Sequence, residues 1–98
     1  MKTLDEIKSI LRELKSEIEK RYRAELIGIF GSYVRGEQKK RSDLDVLVKF
    51  HSGATLFDFV GLALFLEEKV GIKNVDVVPY DTLRPEINEH VIKEVVYI

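Results

Sequence analysis

Residues 30–48 of this 98-residue chain read FGSYVRGEQKKRSDLDVLV, with two short polar motifs at the edges of apolar runs. The run Glu25–Phe30 predicts a buried strand that leads into a turn, and Asp43–Phe50 predicts a second strand. Between them, Ser32 is expected to begin a helix of one or two turns as its N-cap, and Gly36 is expected to stop it. The stretch therefore predicts two strands that are joined by a short helix and a polar loop.

Hydrophobic spacing predicts the remaining elements. Apolar residues at three- and four-residue intervals predict a helix over Thr3–Arg21, with Thr3 and Glu6 as its capping box. Asn74–Pro79 predicts a third strand, and a last helix after Pro85 carries an apolar stripe of Ile87, Val91, Val95 and Ile98. We expect a single domain over residues 1–98 of the α/β (α+β) class, a small sheet of about three strands flanked by helices.

The segment Leu56–Leu66 is apolar at every position except Asp58 and Gly61, and Gly71 is expected to stop the helix that it begins. Its 11 residues are too few to span a bilayer, so no membrane association is expected. A helix that is apolar nearly all round is either buried in the core or covered by a partner. Both interpretations stay open, and the second would make Leu56–Leu66 a homo- or hetero-oligomer interface.

Composition narrows the possible environments. A formal charge of -1 provides no overall attraction for a nucleic-acid backbone, so a nucleic-acid partner is not expected. The chain has no cysteine, which excludes disulfides and thiolate metal sites, and its charged first 20 residues lack the apolar centre of a secretory signal. These features favour a cytoplasmic protein.

Three aspartates are the candidate metal ligands. Alternate side chains of a strand face the same way, so Asp43 and Asp45 are expected to project together. Asp76 lies between two valines of the third predicted strand, where a carboxylate is costly unless it has a cation or hydrogen bonds. If the two strands are neighbours, the three carboxylates converge, and such hard oxygen ligands suit Mg²⁺ or Mn²⁺. A pair of ions at this place would support nucleotidyl transfer.

The turn at Gly31 and Ser32 is the candidate phosphate site. A glycine lets the backbone approach a phosphate closely, and the amides at the start of a helix point outward to receive an anion. Arg35 follows by one helical turn and is a further phosphate ligand, whereas the basic cluster Lys39–Arg41 is either an attractive patch or a solvated loop. Ten residues separate Ser32 from Asp43, enough for the chain to return to an adjacent strand.

These motifs together resemble the minimal nucleotidyltransferases of the DNA polymerase β-like superfamily. The resemblance rests on Gly31-Ser32, Arg35-Gly36, Asp43-Leu44-Asp45 and Val75-Asp76-Val77, and it extends to the closing segment from Leu83. It implies a mixed, palm-like sheet, magnesium and ATP. Many members of that family are antitoxins paired with a helical HEPN toxin, an RNase, and some silence it by adenylylating a tyrosine.

By position, the resemblance implies that Asp43 and Asp45 are the metal-binding pair. Asp76 matches the third carboxylate, which binds the catalytic metal and helps to deprotonate the acceptor. Gly31 and Ser32 match the triphosphate cradle. The expected function is therefore a Mg²⁺-dependent protein adenylyltransferase with two metal ions and ATP as substrate, the antitoxin of a type VII-like toxin–antitoxin pair. Two alternatives are a non-catalytic antitoxin that neutralises its partner by binding, and a nucleotidyltransferase that acts on RNA or a small molecule.

Overall fold

The computed structural model describes residues 2–39, 42–82 and 85–98, without the side chains of Pro85, Ile87 and Asn88. Four helices and four strands follow one another within these ranges, in this order: α1 (Leu4–Tyr22), β1 (Ala24–Phe30), α2 (Ser32–Arg35), β2 (Leu44–Phe50), α3 (Leu56–Val70), β3 (Val75–Pro79), a 3₁₀ turn (Tyr80–Thr82), α4 (Pro85–Glu94) and β4 (Val96–Tyr97).

The four strands form one mixed sheet in the order β3-β2-β1-β4. Strand β2 runs antiparallel to β1 and parallel to β3, and β1 is antiparallel to β4. This confirms the α/β class and a mixed sheet flanked by helices. The central β2 begins at the same end of the sheet where β3 begins and β1 ends, and the candidate site lies at that end.

The prediction of about three strands was one short, because β4 was assigned to the last helix. That helix ends at Glu94, and the two residues of β4 pair with Gly28 and Ile29 instead. Gly28 permits this pairing, since a Cβ atom there would collide with the Val96 carbonyl oxygen and lie 2.7 Å from the Val95 Cγ1. Val95 and Ile98 therefore lie outside the helix, and the side chain of Ile87 lies outside the described residues.

Helices α1 and α3 pack on one face of the sheet and build the main core. Its fully buried side chains come from both helices and from the inward positions of β1 and β2: Ile7, Leu11, Ile18, Leu62, Leu66, Val70, Leu26, Ile29, Leu44, Val46 and Val48. Burial of such a side chain contributes about 1.5–3 kcal/mol, which makes this interface the main stabilising feature of the fold. On the opposite face, Leu47 packs with Val91 of α4 and with Val95. Odd-numbered residues of β2, Asp45 included, face α4.

The ends of the helices follow the sequence signals in most places. Both parts of the predicted capping box at Thr3 and Glu6 are present, and Gly36 and Gly71 end α2 and α3 in the left-handed conformation. The N-cap of α2 is Gly31, so the assignment of Ser32 to that position was wrong. A serine cap requires its hydroxyl to bond a following amide, and here Ser32 is already the first helical residue.

Helix α3 divides the apolar segment Leu56–Leu66 between two environments. Leu62 and Leu66 are buried, whereas Phe57 is 89% exposed and Leu64 is 61% exposed. The helix is thus a core helix on one face and an uncovered apolar surface on the other. Within the described ranges, no helix is both long enough and apolar enough to cross a membrane.

Candidate active site

The sheet brings two of the three predicted carboxylates to adjacent positions. Asp45 of β2 is the direct partner of Asp76 on β3, and on its other side it is opposite Phe30, the last residue of β1. Asp43 precedes β2 by one residue, and the amide of Leu44 donates to the carbonyl of Asn74, which fixes where the two parallel strands begin. The backbone therefore places the Gly31 turn, the Asp43-Leu44-Asp45 motif and Asp76 at one end of the sheet.

Burial and neighbouring charges perturb the carboxyl group of Asp45. Its half-buried carboxyl group has a pKa raised from 3.8 to about 6, first by burial and then by the negative charges of Asp76 and Asp43. The positive charge of Arg35 opposes the shift, and Glu94 adds to it. A like charge nearby makes ionisation harder, so these groups interact across the short distance between the strands.

Asp43 and Asp76 are both exposed, unlike Asp45. The expectation that burial between two valines makes the Asp76 carboxylate costly was therefore wrong, because Val75 and Val77 point inward while Asp76 points to solvent. Asp45 is the carboxylate for which ionisation is disfavoured.

The donor chemistry of this cluster fits a hard divalent cation. All candidate ligands are carboxylate oxygens, and a cation between them would offset the repulsion that raises the pKa of Asp45. Among the residues that the structure describes, no three His, Cys, Asp or Glu side chains already lie close enough together to hold a metal ion. Exposed side chains such as Asp43 and Asp76 change rotamer on a fast timescale. The convergence of all three aspartates on one ion stays a prediction.

Gly31 contacts the carboxylate cluster directly. It has a φ of 83°, and a Cβ atom at this position would collide with Oδ2 of Asp45. Its carbonyl oxygen accepts hydrogen bonds from the amides of Val34 and Arg35, at 3.0 and 3.1 Å, and so starts the single turn of α2. Only glycine allows the turn and the carboxylate to approach this closely, which places Gly31 beside Asp45, with Ser32 following as the first residue of α2.

Arg35 extends from α2 toward a residue that the sequence analysis missed, Glu94 at the end of α4. The Arg35 Nη1 donates to the Glu94 Oε1 at 2.6 Å, and the Gly31 amide donates to the same oxygen at 2.9 Å. One signal could have indicated Glu94: it lies in the last turn of a helix, where a negative charge is disfavoured by the helix dipole and needs a compensating partner. The partners themselves are 59 and 63 residues away. Of the basic cluster Lys39–Arg41, two residues, Lys40 and Arg41, lie outside the described residues.

A mixed sheet with an Asp-x-Asp pair at one end, beside a glycine-serine turn that begins a helix, defines the class of a nucleotidyltransferase palm. The match of a family model agrees with this assignment: residues 7–98 match the nucleotidyltransferase domain. The chain belongs to this family.

Similar proteins extend over the full length of the chain. Protein adenylyltransferase MntA of Thermococcus cleftensis is 45% identical over 98 residues, which is 100% of this chain and 98% of that protein. A Methanocaldococcus jannaschii protein, provisionally named a protein adenylyltransferase, is 37% identical over 100% of both chains.

Two solved structures share the fold. One, described provisionally as a minimal nucleotidyltransferase, has a TM-score of 0.82 and 36% identity over 99% of this chain and 97% of that chain. The other is a crystal structure described as a toxin–antitoxin with AMP-PNP, with a TM-score of 0.67 and 24% identity over 95% of this chain and 69% of that chain.

Proposed function

We propose that this protein transfers AMP from ATP to a hydroxyl group of a protein, a tyrosine of a partner HEPN toxin, and so acts as an antitoxin. The observation that carries the proposal is the position of Asp45 beside Gly31 and across from Asp76, in a chain of the nucleotidyltransferase family. Full-length relatives that bear the name protein adenylyltransferase support a protein as the acceptor.

In this mechanism the Gly31 amide and the Arg35 guanidinium bind the phosphates, with Ser32 as a further donor. Asp43, Asp45 and Asp76 would hold Mg²⁺, which supplies Lewis-acid stabilisation of the charge that develops on the phosphates. The acceptor oxygen forms a bond to the α-phosphorus while the bond to the β-phosphate oxygen breaks, and pyrophosphate leaves. Asp76 is exposed to solvent across from Asp45 and takes the hydroxyl proton.

The partner assignment has two supports. The sequence resembles minimal nucleotidyltransferases that pair with HEPN toxins, and the toxin–antitoxin structure with AMP-PNP has the same fold. An all-helical partner would also need an apolar contact surface, and the outer face of α3 offers one at Phe57 and Leu64.

Transfer of label from α-labelled ATP tests the proposal. The purified protein, magnesium and a candidate HEPN toxin should give label on a toxin tyrosine. Replacement Asp43→Asn should lower the rate of label transfer by about 100-fold, because the Asp43 carboxylate would help to hold the metal that stabilises the transition state. The matched control is Asp81→Asn, an exposed aspartate just beyond the opposite end of β3. Equal labelling by the wild type and the Asp43 variant would overturn the mechanism. Label on RNA would instead identify RNA as the acceptor.

The outer face of α3 also favours a second candidate function, neutralisation by binding alone. Phe57 is 89% exposed, and this uncovered surface could cover a partner without any chemistry. The double replacement Asp43→Asn and Asp45→Asn separates the two functions in cells that express the toxin. Full protection by the double variant would favour binding, and lost protection would favour transfer.

A further inference from the structure

The carboxylate of Glu94 is held by two of the groups that the proposed nucleotide site would use. Its Oε1 accepts the Gly31 amide at 2.9 Å and the Arg35 Nη1 at 2.6 Å. The side chain is only 15% exposed, although it ends a helix on the surface of a small protein. Its other oxygen, Oε2, lies 3.8 Å from the Nε2 of His90, one turn earlier on α4.

We infer that Glu94 takes the place of a phosphate oxygen, and that a bound triphosphate displaces it. The inference rests on the proposed nucleotide site. A carboxylate and a phosphate both present anionic oxygens to the same kind of donor, and charge-assisted hydrogen bonds of this length are among the stronger ones. The Gly31 amide has one hydrogen, so it cannot donate fully to Glu94 and to a phosphate together.

The position of Glu94 in α4 strengthens this interpretation. A glutamate at the carboxyl end of a helix meets the negative end of the helix dipole. An uncharged residue would anchor α4 at this place without that cost. The negative charge instead satisfies the Gly31 amide and the Nη1 of Arg35 when no nucleotide is present, while Glu37 lies 3.3 Å from the Nε of Arg35. In doing so, Glu94 competes with the nucleotide. Glu94 therefore limits how tightly the site holds ATP.

The test is the replacement Glu94→Gln. Glutamine keeps the length and the acceptor oxygen of the side chain but loses the charge, so its bonds to Gly31 and Arg35 are weaker and easier to displace. A hydrogen bond to a charged group contributes about 1 kcal/mol more than a neutral one, which corresponds to about fivefold in affinity. Calorimetric titration with AMP-PNP and magnesium should therefore give a dissociation constant about fivefold lower for the variant. Glu89→Gln, an exposed charge on the same helix, is the matched control and should leave the constant unchanged.

If Glu94 merely anchors α4, its replacement should not tighten nucleotide binding. In that case Glu94→Gln would bind AMP-PNP equally well or less well than the wild type, and this outcome overturns the inference. Glu94→Ala removes the acceptor altogether and should tighten binding at least as much, provided that circular dichroism shows the variant to be folded. An NMR titration adds a second readout: the Gly31 amide signal should shift on nucleotide binding in the wild type, and an unchanged signal also overturns the inference.

The same experiments separate the inference from the proposed function. Tighter AMP-PNP binding by Glu94→Gln without any label transfer by the wild type would contradict the transferase activity and leave the role of Glu94 intact. Label transfer by the wild type, together with an unchanged dissociation constant for Glu94→Gln, would support the transferase activity and contradict the role of Glu94. Absence of AMP-PNP binding by every variant would overturn both.

Discussion

Asp45 shows how position in the sheet gives one carboxylate an unusual chemistry. It points toward α4 from the central strand, with Asp76 beside it and the Gly31 turn against its Oδ2. Burial first, and then the negative charges of Asp76 and Asp43, raise its pKa to about 6. Ionisation of Asp45 therefore lowers the stability of the fold, and the cation proposed above would offset that loss.

The raised pKa of Asp45 makes the stability of the metal-free protein depend on pH. Because the folded-state pKa of about 6 exceeds the ordinary value of 3.8, its contribution to stability is present below about pH 4 and is lost as the pH rises through 6. Asp45→Asn cannot ionise. We therefore expect this variant to be more stable than the wild type at pH 8 and similar to it at pH 4, when unfolding in urea is measured with EDTA present.

The matched control for this comparison is Asp81→Asn, an exposed aspartate of the 3₁₀ turn at the opposite end of β3. It should not reproduce the pH-dependent difference. A stability gain for Asp45→Asn that is the same at both pH values would contradict the raised pKa of Asp45.

Helix α3 has two apolar faces with opposite energetic roles. Leu62 is fully buried against α1 and the sheet, whereas Phe57 is 89% exposed. Its capping box at Thr55 and Asp58 and its stop at Gly71 fix the helix independently of any partner. The outer apolar face therefore contributes little to the fold, and its composition calls for another explanation, which the proposed partner supplies.

Two substitutions on α3 should separate these roles. Leu62→Ala should lower the free energy of unfolding by about 2–5 kcal/mol, because it leaves a cavity in the core. Phe57→Ser should change stability by less than about 0.5 kcal/mol, as expected for a surface position. Denaturant unfolding of the isolated protein measures both. Phe57→Ser should nevertheless weaken toxin binding in a pull-down, and a large loss of stability on this substitution would show that the face is part of the fold.

The elements that could be predicted from the sequence are those whose signals are local. The α1 capping box lies within four residues, and Gly36 and Gly71 stop their helices by their own conformation. Strand β4 escaped prediction because Val91, Val95 and Ile98 have a spacing that also fits a helix, and only pairing with distant Gly28 decides between the two. Of the candidate site, the Asp-x-Asp pair and the glycine turn could likewise be recognised from short local motifs.

Contacts distant in sequence account for what could not be predicted in the site. Glu94 accepts hydrogen bonds from Gly31 and Arg35, which lie about 60 residues earlier in the sequence, and no local sequence pattern predicts these contacts. The exposure of Asp76 likewise depends on which face of β3 is covered, and this is decided by the packing of α3 on the strand.

The candidate site is built from elements that are distant from one another in the sequence. Its groups come from the turn after β1, from α2, from the starts of β2 and β3 and from the end of α4, so they meet only when the chain is folded. A ligand that binds this arrangement binds the native state alone. Its binding free energy is then added to the stability of the protein, by an amount set by ligand concentration and dissociation constant.

Magnesium and AMP-PNP together should therefore raise the melting temperature. At a ligand concentration of about 100 times the dissociation constant, the stabilisation is about 2.7 kcal/mol, which corresponds to roughly 10–20 °C for a domain of this size. Differential scanning calorimetry should detect the shift in the wild type and in Asp81→Asn. The double variant Asp43→Asn with Asp45→Asn should lose most of it, because the nucleotide then lacks the cation that its phosphates require. An equal shift in the double variant would mean that nucleotide binding does not depend on a cation held by these carboxylates.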